Sequence, residues 1–283
     1  MPTCRFIDIH AFGLLTRNLT IDVAEITGVM DHALVGLNKQ TGFSDRMLAW
    51  IQAGASSSGP CPLDPHGRIV LDVMANTNAQ GQILHTAHVL RFAPERELAP
   101  VVVVTLHSPV LDIPMRVEMP LRAVMKGNAP LEGSHTLYQH ALLTSCGETY
   151  TYYGITKRGW NLRFSEHTRA ALAQKSKRLF AQTLNSLIEA RAEELYGAGD
   201  ERPKLAGIVS TLCGTGLSQE AAWASEEYLV DKYSLSAKHP YGLNMIPGGR
   251  AGLAEIRRRF RRPGPGKGPG GTSTGLALLS DPT

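Results

Sequence analysis

The strongest constraint on the fold is a pair of strand-like segments in the second half of the chain. Residues 135–143 (HTLYQHALL) and 149–156 (TYTYYGIT) are rich in β-branched and aromatic residues, and a short stretch with one glycine separates them. This arrangement predicts a β-hairpin. Opposite residues of paired strands are neighbours, so Tyr138 is expected close to Tyr152 or Tyr153.

The segments that follow alternate between helical and strand patterns. An amphipathic helix is predicted from about Asn161, with apolar residues at helical spacing for several turns. Residues 204–212 predict a third strand, and residues 218–233 predict a second helix that begins after Ser218 as N-cap. Residues 239–249 are rich in turn formers.

The first 132 residues carry mixed patterns without a familiar motif. Two helices and a hairpin are predicted at residues 26–39, 46–54 and 67–92. Residues 100–120 are rich in β-branched residues, but their prolines limit the prediction to short or edge strands. We therefore predict an N-terminal α+β domain of unknown type over residues 1–132.

Positive charge is concentrated at the C-terminal end. The chain has 283 residues and a formal net charge of +4, but from Ile256 onward six basic residues stand against Asp281 alone. The preceding part is therefore nearly neutral. Residues 251–283 are rich in Gly and Pro, which predicts a disordered basic tail, although LAEIRRRF could extend a helix. Such a tail suits a polyanion.

Features of membrane and secreted proteins are missing from the sequence. No run approaches the ~20 apolar residues of a membrane helix, and the start MPTCRFIDIHAF lacks a signal-peptide pattern. The four cysteines are far apart and show no metal-site spacing. We therefore expect a soluble cytoplasmic protein with free thiols and no membrane contact.

A set of polar side chains suited to phosphate chemistry surrounds the predicted hairpin. Arg163 and His167 are four residues apart, which places them on one helix face just after the strand that ends near Gly154. Arginine binds phosphate in a bidentate manner, and a phenol or an imidazole can accept a proton from attacking water. The second helix adds Glu226 and Glu227 as carboxylates for a divalent cation. This set indicates phosphodiester hydrolysis.

With these residues in place, the second unit resembles the GIY-YIG nuclease family over residues 133–249, about two fifths of the chain. The residues that carry the resemblance are, in chain order, Tyr138, Tyr152, Gly154, Arg163, His167, Glu226, Val230 and Asn244. The first motif departs from the family pattern, because Thr136 and Leu137 replace its usual glycine and isoleucine.

The resemblance implies a fold and an activity for residues 133–250. The implied fold is a small mixed or antiparallel three-stranded sheet flanked by helices. The implied activity is that of a metal-dependent DNA endonuclease with one divalent cation, Mg²⁺ or another such as Mn²⁺. Glu226 would ligate the cation, and Arg163 would bind the scissile phosphate.

The remaining roles also come from the resemblance. Tyr138, helped by His167, would activate water, and Tyr152 would hold the nucleophile or the phosphate. Asn244 would support the site by hydrogen bonds. Tyr153 stays an alternative to Tyr152, although the position two residues before glycine favours Tyr152.

Neighbouring residues compete for two further assignments. Glu227 is an alternative to Glu226, which its spacing to Val230 favours. Trp160 could stack on a base or pack beneath the helix, and packing is favoured. Basic residues crowd this stretch, and the predicted DNA contacts among them are Lys157, Arg158, Arg169, Lys175 and Arg178.

Two other functions stay open from the sequence. One is a catalytically inactive DNA-binding or regulatory protein that keeps the GIY-YIG fold, which the altered first motif supports. The other is an N-terminal enzyme with the nuclease unit as an accessory. Residues 1–130 show no glycine-rich phosphate loop, nucleophile elbow or metal cluster, which argues against the second.

Overall fold

Helices and a large mixed sheet make up the fold. The computed structural model describes residues 3–54, 61–63, 68–77, 83–92, 99–108, 110–173, 176–197 and 199–260. The helices are α1 (Ile9–Leu15), α2 (Val23–Thr41), α3 (Phe43–Gln52), α4 (Trp160–Leu172), α5 (Leu179–Leu195), α6 (Gln219–Leu229) and α7 (Gly249–Phe260). The strands are β1 (Arg68–Thr77), β2 (Ile83–Phe92), β3 (Val101–Ser108), β4 (Ile113–Pro120), β5 (His135–Thr144), β6 (Thr149–Thr156) and β7 (Leu205–Leu217). The predicted α+β class is confirmed.

The strands form a seven-stranded sheet in the order β2-β1-β3-β4-β7-β5-β6. The β1–β3 and β4–β7 pairs are parallel, and the other pairs are antiparallel. The predicted hairpin is confirmed as β5 and β6, and β7 pairs with β5 on its other side. Because β7 also pairs with β4, the sheet continues across the predicted boundary between residues 132 and 133.

Strands β3 and β4 are both interior, so the edge alternative in the prediction of short or edge strands is wrong. β3 lies between β1 and β4, and β4 lies between β3 and β7. The β4–β7 ladder uses only residues 115–118. Pro114 and Pro120 lie outside this stretch, so their missing N–H groups do not interrupt the ladder.

The helix predicted from about Asn161 is two helices, α4 and α5. The described helix α4 ends at Leu172 and α5 begins at Leu179, and the sequence QKSKR between them carries no apolar side chain that could continue the buried stripe. Lys175 itself lies outside the described residues. The second predicted helix is α6 with its N-cap as expected, since the Ala221 N–H donates to Ser218 Oγ, and a π-helical turn follows at Val230–Ser234.

Part of the predicted disordered tail is helical. Residues 251–260 belong to α7, which packs against α6. Glycines allow this contact, because a Cβ on Gly248 would lie 2.7 Å from the backbone of Glu226. The helical extension through LAEIRRRF is therefore present. The remainder of the predicted tail, residues 261–283, lies outside the described residues.

The hydrophobic core also joins the two parts of the sequence. Phe12 and Leu15 of α1 belong to the same buried cluster as Tyr138 and Trp160. The Trp160 indole N–H donates to the Leu15 carbonyl at 2.7 Å, and the side chain is fully buried. The packing interpretation of Trp160 is thus confirmed, and the base-stacking alternative is wrong.

Cys4, Cys61, Cys146 and Cys213 are free thiols, as expected. None of the helices in the described ranges is both long enough and apolar enough to cross a membrane.

Candidate active site

A cleft of about 570 Å³ opens between the β5–β6 hairpin, α4, the start of α5, and α6 with the chain that follows it. Its lining includes the six residues assigned to the catalytic and metal site from the sequence, which are Tyr138, Tyr152, Arg163, His167, Glu226 and Asn244. These residues come from separate parts of the chain, so the fold brings them together.

The two tyrosines of the cleft are diagonal neighbours on the hairpin. Tyr138 lies opposite Gly154 in the strand register, not opposite Tyr152 or Tyr153, and the rings of Tyr138 and Tyr152 are 6.4 Å apart. A Cβ on Gly154 would lie 2.6 Å from the Tyr138 hydroxyl oxygen. The bare backbone at Gly154 therefore accommodates the phenol of Tyr138.

Both phenols are held in the protonated form. Burial raises the pKa of Tyr138 well above its ordinary value, and the neighbouring Tyr152 adds to this shift. Burial also raises the pKa of Tyr152, and the charge of Glu226 acts in the same direction. At neutral pH these hydroxyls can therefore donate hydrogen bonds into the cleft.

Tyr153 points to the other face of the sheet. Its side chain packs with Val230 and Leu235 in a separate small cluster, and burial raises its pKa to about 12. Alternate residues of a strand face opposite sides. The structure thus places Tyr152, and not its competitor, in the cleft.

Arg163 forms an ion pair that the sequence did not predict. Its Nη1 donates to Glu166 Oε2 at 2.8 Å, and Arg158 Nη2 lies 3.2 Å from Glu166 Oε1. Burial raises the pKa of Glu166, but the hydrogen bond and charge of Arg163 outweigh it, so the pKa is lowered. The spacing of three residues between Arg163 and Glu166 was the available sequence signal.

His167 brings a neutral imidazole to the cleft. Burial, followed by the charges of Arg178 and Arg163, lowers its pKa to about 4. Its ring centre lies 5.1 Å from that of Tyr152. The buried Nδ1 has no hydrogen-bond partner among the described residues. The imidazole is therefore neutral at physiological pH, and its lowered pKa makes it a weaker base than an ordinary histidine.

Glu226 faces the cleft, whereas Glu227 lines a separate groove with Trp223 and Arg250. Glu226 Oε2 accepts a hydrogen bond from the Gly249 N–H at 2.8 Å. Burial raises the pKa of Glu226, and no basic side chain of the described residues pairs with it. A half-buried carboxylate in this state is suited to a cation.

The donor set fits a divalent cation held by one protein ligand. Within the described ranges, no three His, Cys, Asp or Glu side chains are grouped as metal ligands. Mg²⁺, however, usually keeps several waters and binds through one or two carboxylates together with substrate phosphate. Glu226 alone meets this minimum, and the cleft leaves room for water and phosphate.

Asn244 secures the edge of the hairpin. Its Nδ2 donates to the Tyr153 carbonyl at 2.9 Å, and its Oδ1 accepts from the Tyr153 N–H at 3.0 Å. Ser234 Oγ donates to the same Oδ1 at 2.7 Å. Asn244 therefore pairs with β6 as a strand backbone would, and this fixes the position of Tyr152 beside it.

The predicted DNA contacts lie in different places. Arg178 lines the cleft. Lys157 and Arg158 are exposed where β6 ends, and Arg169 is exposed on α4 outside the cleft. Lys175 is not among the described residues. The cleft and its rim therefore bring together three of the guanidinium groups, those of Arg158, Arg163 and Arg178.

Comparisons with protein-family models, curated proteins and solved structures found no match for this chain. The chemistry of the cleft is therefore the main guide to the function.

Proposed function

We propose that the chain is a metal-dependent endonuclease that hydrolyses DNA phosphodiester bonds in this cleft. One observation carries the proposal, namely the presence in one cleft of Tyr138, Tyr152, Arg163, His167 and Glu226. A phosphate ligand, proton-handling groups and a cation ligand are what hydrolysis of a phosphodiester requires. The resemblance to the GIY-YIG family supports the same function.

Arg163 binds the scissile phosphate in this proposal. Its present partner Glu166 is partly exposed, and an exposed ion pair contributes only about 0–1 kcal/mol. A phosphate can therefore replace the carboxylate at little cost. Mg²⁺ or Mn²⁺ on Glu226 would supply charge neutralisation and an activated water.

The proton of the attacking water passes to His167 once phosphate at Arg163 and Arg178 neutralises two of the charges that lower its pKa, because this strengthens the imidazole as a base. Its imidazole is neutral at physiological pH because its pKa is about 4. The raised pKa values of Tyr138 and Tyr152 favour a donor role for both phenols, which orient the water and the phosphate. This division differs from the resemblance, which gives the water to Tyr138 first.

Nicking of supercoiled plasmid tests the proposal. Purified protein is assayed with Mg²⁺ or Mn²⁺ and with EDTA, alongside Arg163→Ala and Glu226→Gln. We expect metal-dependent nicking that falls at least about a hundredfold in each variant. Arg46→Ala and Glu227→Gln are matched controls, since Arg46 is exposed on α3 and Glu227 lies on α6 outside the cleft.

The controls decide what a negative result means. Equal loss in Arg46→Ala and Glu227→Gln would place the effect outside the cleft. Nicking that persists in both cleft variants would show that the cleft does not carry the activity. No nicking by the wild-type protein with either metal, on plasmid or branched DNA, would overturn the proposal.

A second candidate is a DNA-binding protein that keeps this cleft without turnover. The altered first motif, in which Thr136 and Leu137 replace the usual glycine and isoleucine, favours it. Salt-dependent DNA binding without nicking would support this candidate.

A further inference from the structure

The cleft has an apolar part that phosphate chemistry does not use. Its members are Leu179, Leu243, Met245, Ile246 and Ile256. They belong to the start of α5, to the chain that follows the π-helical turn, and to α7. Aliphatic side chains gain nothing from a hydrated phosphate, so this part of the cleft suits a different portion of a substrate.

Met245 is the accessible member of this group. It is 53% exposed, although it lies in a cleft beside charged residues. The Leu179 N–H lies 3.4 Å from Met245 Sδ as a hydrogen-bond donor, which positions the thioether. The apolar surface is thus held open at the cleft in the described structure.

Paired and unpaired DNA differ in what they can offer to such a surface. A duplex keeps its bases stacked and presents sugar and charged phosphate along its backbone. An unpaired nucleotide presents the flat apolar face of its base together with its phosphates. Only the second form can fill a cleft that is cationic in one part and aliphatic in another.

We propose that the cleft takes an unpaired nucleotide, so that single-stranded or locally opened DNA is the preferred substrate class. The inference rests on the proposed function for the position of the phosphate at Arg163. The base contacts Met245, Ile246 and Ile256 while Arg178 meets a neighbouring phosphate. The cleft volume of about 570 Å³ is in the range that accepts ligands of nucleotide size.

Electrostatics alone predicts the opposite preference. Duplex DNA has the higher charge density, so a purely basic surface binds it more tightly than a single strand. Extrusion of a base from a duplex also costs a few kcal/mol. A preference for the unpaired strand would therefore indicate that the protein contacts the base.

The test compares an oligothymidylate single strand, the same strand paired with oligoadenylate, and an abasic strand of equal length. Affinity is measured in EDTA by fluorescence anisotropy, and cleavage is measured with Mg²⁺. We expect the single strand to bind at least about tenfold more tightly than the duplex. The abasic strand should lose this advantage.

Substitutions in the apolar part of the cleft test whether the preference for single-stranded DNA arises there. Met245→Gln and Ile256→Gln should weaken single-strand binding severalfold and leave duplex binding unchanged. Leu172→Gln is the matched control, because Leu172 is an exposed aliphatic residue on α4 outside the cleft. Two variants are used so that a folding defect in one does not decide the result.

The outcomes separate this inference from the proposed function. Equal affinity for single strand and duplex, or cleft variants that behave like Leu172→Gln, would overturn the inference while cleavage could still occur. Single-strand preference without cleavage by any metal would retain the inference on the ligand and overturn the endonuclease. Preference combined with cleavage of the unpaired strand would support both.

Discussion

At the scale of single residues, Gly154 determines where the Tyr138 phenol lies. In Gly154→Ala the new Cβ would be 2.6 Å from the Tyr138 hydroxyl oxygen, so the ring must move. The ring is buried and cannot move freely. We expect the nicking rate to fall at least about tenfold and the free energy of unfolding to fall by about 1–3 kcal/mol. Plasmid nicking and urea unfolding measure the two effects.

Gly28→Ala is the control for this substitution. Gly28 lies within α2, and an added Cβ there meets nothing within 4 Å. Alanine in a helix interior is favoured over glycine by about 1 kcal/mol, so this variant should keep its activity. A Gly154→Ala protein with the wild-type rate would show that the position of the Tyr138 hydroxyl is not needed.

His167 makes stability depend on pH. Its ordinary pKa of 6.5 is lowered to about 4 in the folded protein. Between these values the unfolded chain binds a proton that the folded chain does not. The free energy of unfolding therefore falls as the pH drops from 6.5 to about 4, by up to about 3 kcal/mol from this residue.

Replacement of His167 removes this contribution. We expect His167→Gln to show a flatter stability profile than the wild-type protein when urea unfolding is measured across the same pH range. Burial also lowers the pKa of His140, so part of the slope remains. The exposed His88→Gln serves as control. Identical slopes for His167→Gln and the wild type would contradict the prediction.

Residue spacing predicted which side chains share a face of the cleft. It did not predict the register of the hairpin or the ion pair between Arg163 and Glu166. The shared face of Arg163 and His167 follows from helix periodicity, and the choice of Tyr152 agrees with strand alternation. The register that sets Tyr138 opposite Gly154 depends on how the hairpin turn closes. The Glu166 ion pair depends on rotamers that spacing alone does not determine.

At the scale of elements, Asn244 attaches the chain after the π-helical turn to the edge of β6. Asn244→Ala would leave both the N–H and the C=O of Tyr153 without a partner in a buried position. Each buried unpaired group costs about 1–3 kcal/mol. We expect the free energy of unfolding to fall by about 2–6 kcal/mol, as measured by urea unfolding.

Asn244→Asp refines this prediction. The variant retains an oxygen that can accept from the Tyr153 N–H and from Ser234, but it loses the donor to the Tyr153 carbonyl. Because its second carboxylate oxygen would face the Tyr153 carbonyl oxygen in a buried position, the loss of stability at neutral pH should be at least as large as that of Asn244→Ala. The exposed Gln182→Ala on α5 is the control. If Asn244→Ala is as stable as this control, the hydrogen bonds do not hold the edge.

Local sequence patterns predicted most of the helices and strands, but they did not predict which elements pack or pair with one another. The strand content of residues 100–120 was evident, but the interior position of β4 depends on its pairing with the distant β7. The break between α4 and α5 and the helix α7 also depend on packing, since α7 is held by its contact with α6. Helix and strand propensities carry no information about contacts between residues that are far apart in the sequence.

At the scale of the whole molecule, sheet and core both cross the predicted domain boundary. β4 pairs with β7 along residues 115–118, and Trp160 donates a hydrogen bond to Leu15. A cut between residues 132 and 133 would expose the edge of β7 and uncover Trp160. Unpaired edges and exposed apolar side chains favour aggregation. We infer that the two sequence regions fold as one cooperative unit.

Tryptophans on both sides of the boundary allow a direct test of this cooperativity. Trp50 lies in α3 and Trp223 in α6, so Trp223→Phe and Trp50→Phe variants, which both keep the boundary contact of Trp160, weight the fluorescence toward opposite regions. Urea unfolding followed by fluorescence should give coincident transitions for the two variants, and far-UV circular dichroism should agree with them. Two separate midpoints would show that the predicted domains, residues 1–132 and 133–250, unfold independently. Coincident midpoints would mean that the cleft depends on the N-terminal strands for its stability, because β7 would then be lost together with β4.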